Sequence, residues 1–242
     1  MTHHRSRKGL LVIIGAIAVT VGLAAPAAAP PPVEVVLTEA QLDAATLLPA
    51  EVPGDPGWED APAGVLEPEP HTQANDIESG WCGGGTDGYA AGELRVSAVV
   101  TNTLQRRVSP DQPSWFIWQT NYTFQEAFGN SPTAQATSFM TTMQTATTGD
   151  CTSWMVLGGE IPNSVEPTSI TIAPIGQQSF AVQMTTFGDG VSDISHAVYA
   201  RVANNVAVVH TRIFPADTTL LRKIAKKATK KLKQAAAAAA GP

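Results

Sequence analysis

Cys82 stands in the stretch ESGWCGGGTDG, where a thiol beside three glycines could do several kinds of chemistry. It could belong to a phosphate-binding loop, act as a redox nucleophile, bind a metal or form half of a disulfide. A phosphate loop needs a lysine after the glycines, but Thr86 follows them. A metal site needs further thiols or a clustered histidine, and neither Cys82 nor Cys151 has one nearby in the sequence. A disulfide to Cys151 and a reactive or unpaired thiol remain, and the compartment decides between them.

Few other residues indicate catalysis. Beyond residue 27 there are three histidines, His71, His196 and His210, and there is no G-x-S-x-G or H-E-x-x-H motif. The segment GDGVSD, residues 188–193, offers oxygen ligands to Ca²⁺, but it lacks the spacing of a calcium loop and is interpreted as a turn. A hydrolase stays open as a less favoured alternative, because catalytic triads are defined by geometry and not by sequence order. We therefore predict a protein that is not an enzyme and has no metal site and no cofactor.

The N-terminus has the three parts of a secretory signal. Basic residues stand at positions 5, 7 and 8, residues 9–33 carry no charge, and the apolar core LLVIIGAIAVTVGLAA leads into PAAAPPP. An A-x-A site at Ala25 and Ala27 predicts cleavage after residue 27. The alternative is an uncleaved membrane anchor, since about 20 apolar residues can span a bilayer. We predict a secreted or extracytoplasmic protein, and in that oxidising compartment the two cysteines predict one disulfide, Cys82 to Cys151.

Charge is distributed unevenly along the chain. Residues 28–216 contain five basic and 20 acidic side chains, a net charge of −15, whereas residues 217–242 contain seven basic side chains and one acidic one. A nucleic-acid-binding protein needs a basic surface, so the acidic body predicts that nucleic acid is not a partner. The basic C-terminal segment, residues 222–233, is predicted to be a solvated helix face or, alternatively, a weak contact for an anionic surface.

Capping signals predict three helices. The capping box TEAQ, residues 38–41, begins a helix that runs to about Thr46. Ser-Pro at residues 131–132 begins a second helix that ends at Gly149, and Asp217 caps the last helix. The apolar stripes predicted to pack against the core are Ala136, Phe139, Met140, Met143 and Ala146 in the second helix, and Leu221, Ile224, Ala225, Ala228 and Leu232 in the last. The lysines of the last helix are predicted to lie in solvent, and the alanine-rich residues 234–242 to form a frayed tail.

Alternating or apolar runs predict the strands. The segments are GELRVSAVVTNTLQ, WFIWQTNYTF, SITIAPI, SFAVQMTTF, SHAVYARVA and NVAVVHTRIF. Together with the helices they predict an α+β fold, in which an antiparallel sheet of about five to six strands carries its helices on one face and is held by one disulfide. The predicted organisation is a signal peptide at 1–27, a linker at 28–36, a domain at 37–233 and an Ala-rich tail at 234–242.

The last two strands predict a candidate ligand-binding surface. A two-residue loop at Asn204-Asn205 pairs Arg201 with Val208, Tyr199 with His210, and Ala197 with Arg212 on the sheet face opposite the helices. Tyr199, Arg201, His210 and Arg212 are therefore the predicted ligand-binding residues, since arginine forks recognise anionic or polar groups. The alternative is an ordinary solvated sheet face.

Several of these segments resemble a known family. The opening helix into LLPAEVPGDPGW, the Trp81-Cys82 pair, the helix ending near Cys151, the ARVANNVAVV hairpin and the helix after FPAD resemble the extracytoplasmic sensor domain of actinobacterial PknH-type serine/threonine kinases. The resemblance covers residues 37–233. It implies an antiparallel sheet with helices on one side and a cleft for a ligand that is generally unknown. Family members commonly have two disulfides and this chain can form only one; no kinase domain is attached to it either.

The favoured function is accordingly that of an exported, sensor-like ligand-binding domain. The resemblance implies this function, and the lack of catalytic motifs agrees with it. The ligand is unknown and is predicted to be an anionic or polar component of the cell envelope. The alternative is a surface-interaction protein that uses its lysine-rich C-terminal helix.

Overall fold

The computed structural model of the chain describes residues 33–54, 57–62, 95–107, 114–148, 154–156, 163–188, 191–213, 215 and 217–241. The predicted signal peptide and both cysteines lie outside these residues, so cleavage, anchoring and the Cys82–Cys151 disulfide stay predictions. Within the described residues no helix has the length and apolar character needed to cross a bilayer.

One antiparallel sheet organises the described residues. Its strands are β1 (Glu59–Asp60), β2 (Val96–Arg106), β3 (Trp115–Phe124), β4 (Trp154–Val156), β5 (Asn163–Ile170), β6 (Gln178–Gly188), β7 (Val191–Val202) and β8 (Asn205–Arg212). Their order across the sheet is β1-β2-β3-β8-β7-β6-β5-β4. The last hairpin, β7–β8, therefore lies in the middle of the sheet, where both strands have neighbours on each side.

Three α-helices accompany the sheet within the described residues: α1 (Glu39–Ala44), α2 (Pro132–Thr148) and α3 (Thr218–Ala239). The predicted caps are confirmed. Thr38 and Gln41 form the capping box of α1. The Ala134 amide donates to Ser131 Oγ at the start of α2. The Asp217 carboxylate accepts from two amides at the start of α3. These caps were predictable because they depend on residues within one helical turn.

The helices pack on both faces of the sheet, so the prediction that they share one face is wrong. On one face, Val198, Ala200 and Val209 pack with Leu221 and Ile224 of α3. On the other face, Tyr122, Phe180 and Tyr199 of the sheet pack with two residues of α2, Phe139 and Met140. Successive residues of a strand point to opposite faces. Because β8 has apolar residues at successive positions 206–209, both of its faces are available for burial.

The strand count of five to six is also wrong, because the sheet has eight strands. The two additional edge strands, β1 and β4, have two and three residues, too few to show a periodicity. The strand predicted at residues 169–175 is displaced, since β5 runs from Asn163 to Ile170. Pro167 made this strand hard to predict, because proline is unfavourable inside a sheet. In the structure Pro167 lies beyond the three residues of β5 that pair with β4, so its missing amide proton costs no hydrogen bond to β4.

The β7–β8 turn differs from the predicted Asn204-Asn205 loop. Val202 pairs with Asn205, so the two-residue loop is Ala203-Asn204, and Ala203 takes a positive φ of 53°. Asn204 is held inside, where its Nδ2 donates to the carbonyls of Val35 (3.0 Å) and Phe124 (2.9 Å). These buried hydrogen bonds stabilise a turn that puts an alanine in the left-handed region.

The last helix buries its predicted stripe, from Leu221 to Leu232, and this prediction is confirmed. It also continues to Ala239 and buries Ala236, so the frayed tail predicted from residue 234 is wrong as a description of the helix end. The prediction that its lysines lie in solvent fails for Lys231. That ammonium group donates to the Thr46 carbonyl and to Glu51, both at 2.5 Å, and its side chain is only 16% exposed.

Candidate functional site

The four predicted ligand-binding residues lie on one sheet face, as their spacing predicts, but their cross-strand partners differ from the predicted ones. Tyr199 pairs with Val208 and not with His210, and Arg201 pairs with Val206. His210 lies opposite Ala197. The shift follows directly from the Ala203-Asn204 turn, which moves each partner by two residues and so leaves the faces unchanged.

Tyr199 and Arg201 have structural contacts. Tyr199 is 4% exposed and stacks on Phe180, with ring centroids 4.5 Å apart, beneath α2. Burial, with a smaller effect from Tyr122, raises the pKa of the Tyr199 hydroxyl, so it stays protonated. The Arg201 guanidinium donates to Gln178 Oε1 (3.2 Å) and to the Ala203 carbonyl (2.9 Å), which supports the turn.

His210 and Arg212 belong to a different group on the same face, together with Trp118 of β3 and Asp193 of β7. We call these four residues the polar cluster. Trp118 lies directly opposite His210 in the sheet, while Arg212 lies opposite Phe116. The Trp118 and His210 rings are 5.2 Å apart, and the Phe116 and Trp118 rings stack at 5.4 Å. The cluster therefore combines aromatic surface with charged and polar groups.

Buried polar atoms without a hydrogen-bond partner mark the polar cluster. In the described part of the chain five such side-chain atoms occur, and four of them are Trp118 Nε1, Asp193 Oδ1, His210 Nε2 and Arg212 Nε. The fifth, Asn205 Oδ1, lies at the β7–β8 turn. A buried donor or acceptor left without a partner costs about 1–3 kcal/mol, and native proteins satisfy most such groups. Four of these five atoms lie on one sheet face, so within the described residues this face holds most of the buried polar atoms that lack a partner.

The side chains of the polar cluster differ in their exposure to solvent. Trp118 is 9% exposed, whereas the Asp193 and Arg212 side chains are 32% and 38% exposed. Arg212 Nε lies 2.7 Å from Asp193 Oδ2, close enough for an ion pair, although its N–H is not aligned for a hydrogen bond. The Arg212–Asp193 ion pair is therefore the more accessible part of the cluster.

The cluster has no net formal charge near neutral pH. Burial, and to a smaller extent the charge of His196 on the opposite face, lowers the pKa of His210 to about 4, so its imidazole is neutral. The Arg212 and Asp193 charges oppose each other. Among the described residues no group of three or more His, Cys, Asp or Glu side chains could hold a metal ion. The arrangement is suited to hydrogen bonding, and it has the composition of a binding site with aromatic walls and a few polar groups.

Sequence reasoning missed Trp118 and Asp193. A signal for Trp118 was present, because Phe116, Trp118 and Tyr122 alternate along β3 on one face. Asp193 was assigned to a turn in GDGVSD, but β7 begins at Val191 and includes it. Only the strand order, which places β3 and β7 on either side of β8, brings these two residues to His210 and Arg212.

The comparisons with known proteins concern the fold. No protein-family model and no curated protein matches the chain. Among solved structures, the chain is similar to the crystal structure of the extracellular domain of PknH from Mycobacterium tuberculosis. The two share 15% sequence identity and a TM-score of 0.54, over 83% of this chain and 99% of that one. The chain therefore has a fold like that of the PknH extracellular domain.

Proposed function

We propose that this protein is an exported, extracytoplasmic ligand-binding domain of the sensor type, and that its polar cluster binds a small polar ligand. Three observations support the proposal. The N-terminal sequence predicts export, the fold is similar to that of the extracellular domain of PknH, and the polar cluster contains buried groups without partners among the described residues. A protein of this kind would report on or carry a cell-envelope component and would not transform it.

The observation that carries the site is the set of four buried polar atoms that form no hydrogen bond within the described part of the chain. Trp118 Nε1 and His210 Nε2 are buried and have no hydrogen-bond partner among the described residues, so their desolvation is a cost in the folded protein. A ligand that supplies acceptors and donors here would recover the desolvation cost already present in the free protein. This recovery makes the binding free energy larger than that of the same contacts on a solvated surface.

A specific observation favours the surface-interaction alternative as a second candidate. Five cationic side chains on α3 are exposed and form no ion pair within the described part of the chain: Arg222, Lys223, Lys226, Lys230 and Lys233. Each could contribute about 1 kcal/mol near an anionic surface. The acidic body opposes such an approach, so we place this candidate second.

A thermal-shift screen of the mature protein tests the proposal. The library contains neutral sugars and polyols, uronic acids, amino acids, inorganic phosphate and phospholipid headgroups. We expect stabilisation by at least one compound, and we expect Trp118→Phe and Arg212→Gln to remove it. Trp58→Phe is the matched control, because Trp58 is buried to a similar extent (8% exposed) but packs on the opposite face. Stabilisation that is equal in wild type and Trp118→Phe, or found with no compound, contradicts the proposed site.

A further inference from the structure

We propose that the ligand of the polar cluster is an electrically neutral, hydroxyl-rich molecule of the saccharide type. This inference rests on the proposed function and narrows it, since the sequence had indicated an anionic or a polar ligand. It depends on three features of the cluster: its charge balance, its mixture of donors and acceptors, and its aromatic side chains.

The charge balance disfavours an anion. Arg212 is the cluster's cation, and the Asp193 carboxylate already lies 2.7 Å from its Nε. An incoming carboxylate or phosphate would have to share the guanidinium with Asp193, whose unpartnered Oδ1 would repel it at short range. The strongly acidic body adds unfavourable long-range potential for an anion. A cationic ligand would be repelled by the Arg212 guanidinium.

The hydrogen-bonding groups call for a ligand that both donates and accepts. Trp118 Nε1 is a donor without an acceptor among the described residues, while Asp193 Oδ1 is an acceptor without a donor among them. His210 Nε2 is buried without a partner as well. A hydroxyl group donates one hydrogen bond and accepts up to two, so neighbouring hydroxyls can satisfy both kinds of group at once. A carboxylate group can only accept, so it would leave Asp193 Oδ1 without a donor.

The aromatic side chains provide a surface for the carbon skeleton of such a ligand. Phe116 and Trp118 are stacked, with an interplanar angle of 21°, and Phe116 is only partly buried. Aromatic faces bury apolar C–H surface while the indole N–H stays available as a donor. A sugar ring has an apolar face and a rim of hydroxyls. It matches a site in which aromatic rings lie next to the Arg212–Asp193 pair.

Titration calorimetry with matched sugars tests the inference on the mature full-length chain. The probes are glucose, galactose and mannose with their disaccharides, and for each hexose the corresponding uronic acid and amino sugar. We expect at least one neutral sugar to bind about tenfold or more tightly than both of its charged derivatives. Tighter binding of the uronic acid, of the amino sugar or of inorganic phosphate would overturn the inference, as would the failure of every neutral sugar to bind.

Asp193→Asn gives a second, independent readout. The asparagine keeps the size of the side chain but frees the Arg212 charge, so this variant should bind the uronic acid about tenfold more tightly than wild type does. Asp43→Asn, an exposed residue of α1, is the matched control and should change nothing. An anionic compound that binds wild type in a Trp118-dependent manner would refute the neutral ligand but leave the proposed function standing. If no compound responds to Trp118→Phe, both fail.

Discussion

Acidification is expected to destabilise the protein through His210. A solvated histidine side chain has a pKa of 6.5, and burial lowers the pKa of His210 to about 4 in the folded protein. The unfolded chain therefore takes up a proton between these two values and the folded chain does not. The stability that neutral His210 contributes is fully present above the histidine pKa of the unfolded chain. This stability is lost as the pH falls to and through the pKa of His210 in the folded protein. The difference amounts to about 3 kcal/mol of unfolding free energy by pH 4.

The assay is urea denaturation of wild type and His210→Gln between neutral pH and pH 4. We expect the fall in unfolding free energy to be smaller in His210→Gln by about 3 kcal/mol. His196 also has a pKa lowered by burial, and it contributes to the pH dependence of both proteins, so the comparison isolates His210. An NMR titration gives the pKa of His210 directly. A value near 6.5, or the same pH dependence in both proteins, would show that burial does not lower the pKa of His210.

Three further predictions concern the framework of the fold. Lys231→Met should lower the unfolding free energy by about 1–2 kcal/mol because it breaks the contacts with Glu51 and Thr46. The control, Lys230→Met at an exposed position, should change the unfolding free energy by less than about 0.5 kcal/mol. Equal effects of the two variants in urea denaturation would contradict the stabilising role of the ion pair. Asn204→Ala should cost about 3 kcal/mol in the same assay, since four buried or partly buried hydrogen bonds of the side chain are lost, and a cost near zero would show that the turn forms without them. Thiol counting on denatured, unreduced protein should find no free thiol, and two free thiols per chain would contradict the predicted disulfide.

Local features of the fold were predictable from the sequence. The Thr38 capping box, the Ser131 cap and the Asp217 cap each depend on a few adjacent residues, and all three are present. The stripe from Leu221 to Leu232 follows the helical period and is buried. Strands β3, β6 and β8 were close to their observed bounds because their apolar residues form long runs.

The features that failed depend on contacts between distant segments. Periodicity shows that α2 has an apolar stripe, but it does not say which sheet face receives Phe139 and Met140. The turn was predicted at Asn204-Asn205 because asparagine tolerates a positive φ. In the structure, hydrogen bonds to Val35 and Phe124 hold the Asn204 side chain inside, and Ala203 takes the positive φ instead. For the same reason the sequence indicated His210 and Arg212 but not Asp193.

Binding of a ligand by the polar cluster can be followed at the indole N–H resonance of Trp118. This group is buried and has no partner among the described residues, so a ligand that supplies an acceptor must shift its resonance. The measurement is a ¹H–¹⁵N spectrum of the labelled mature protein, titrated with a compound that stabilises it, with the Trp58 indole as internal control. We expect a saturable shift at Trp118 and none at Trp58. A stabilising compound that leaves the Trp118 resonance in place would contradict binding by the polar cluster.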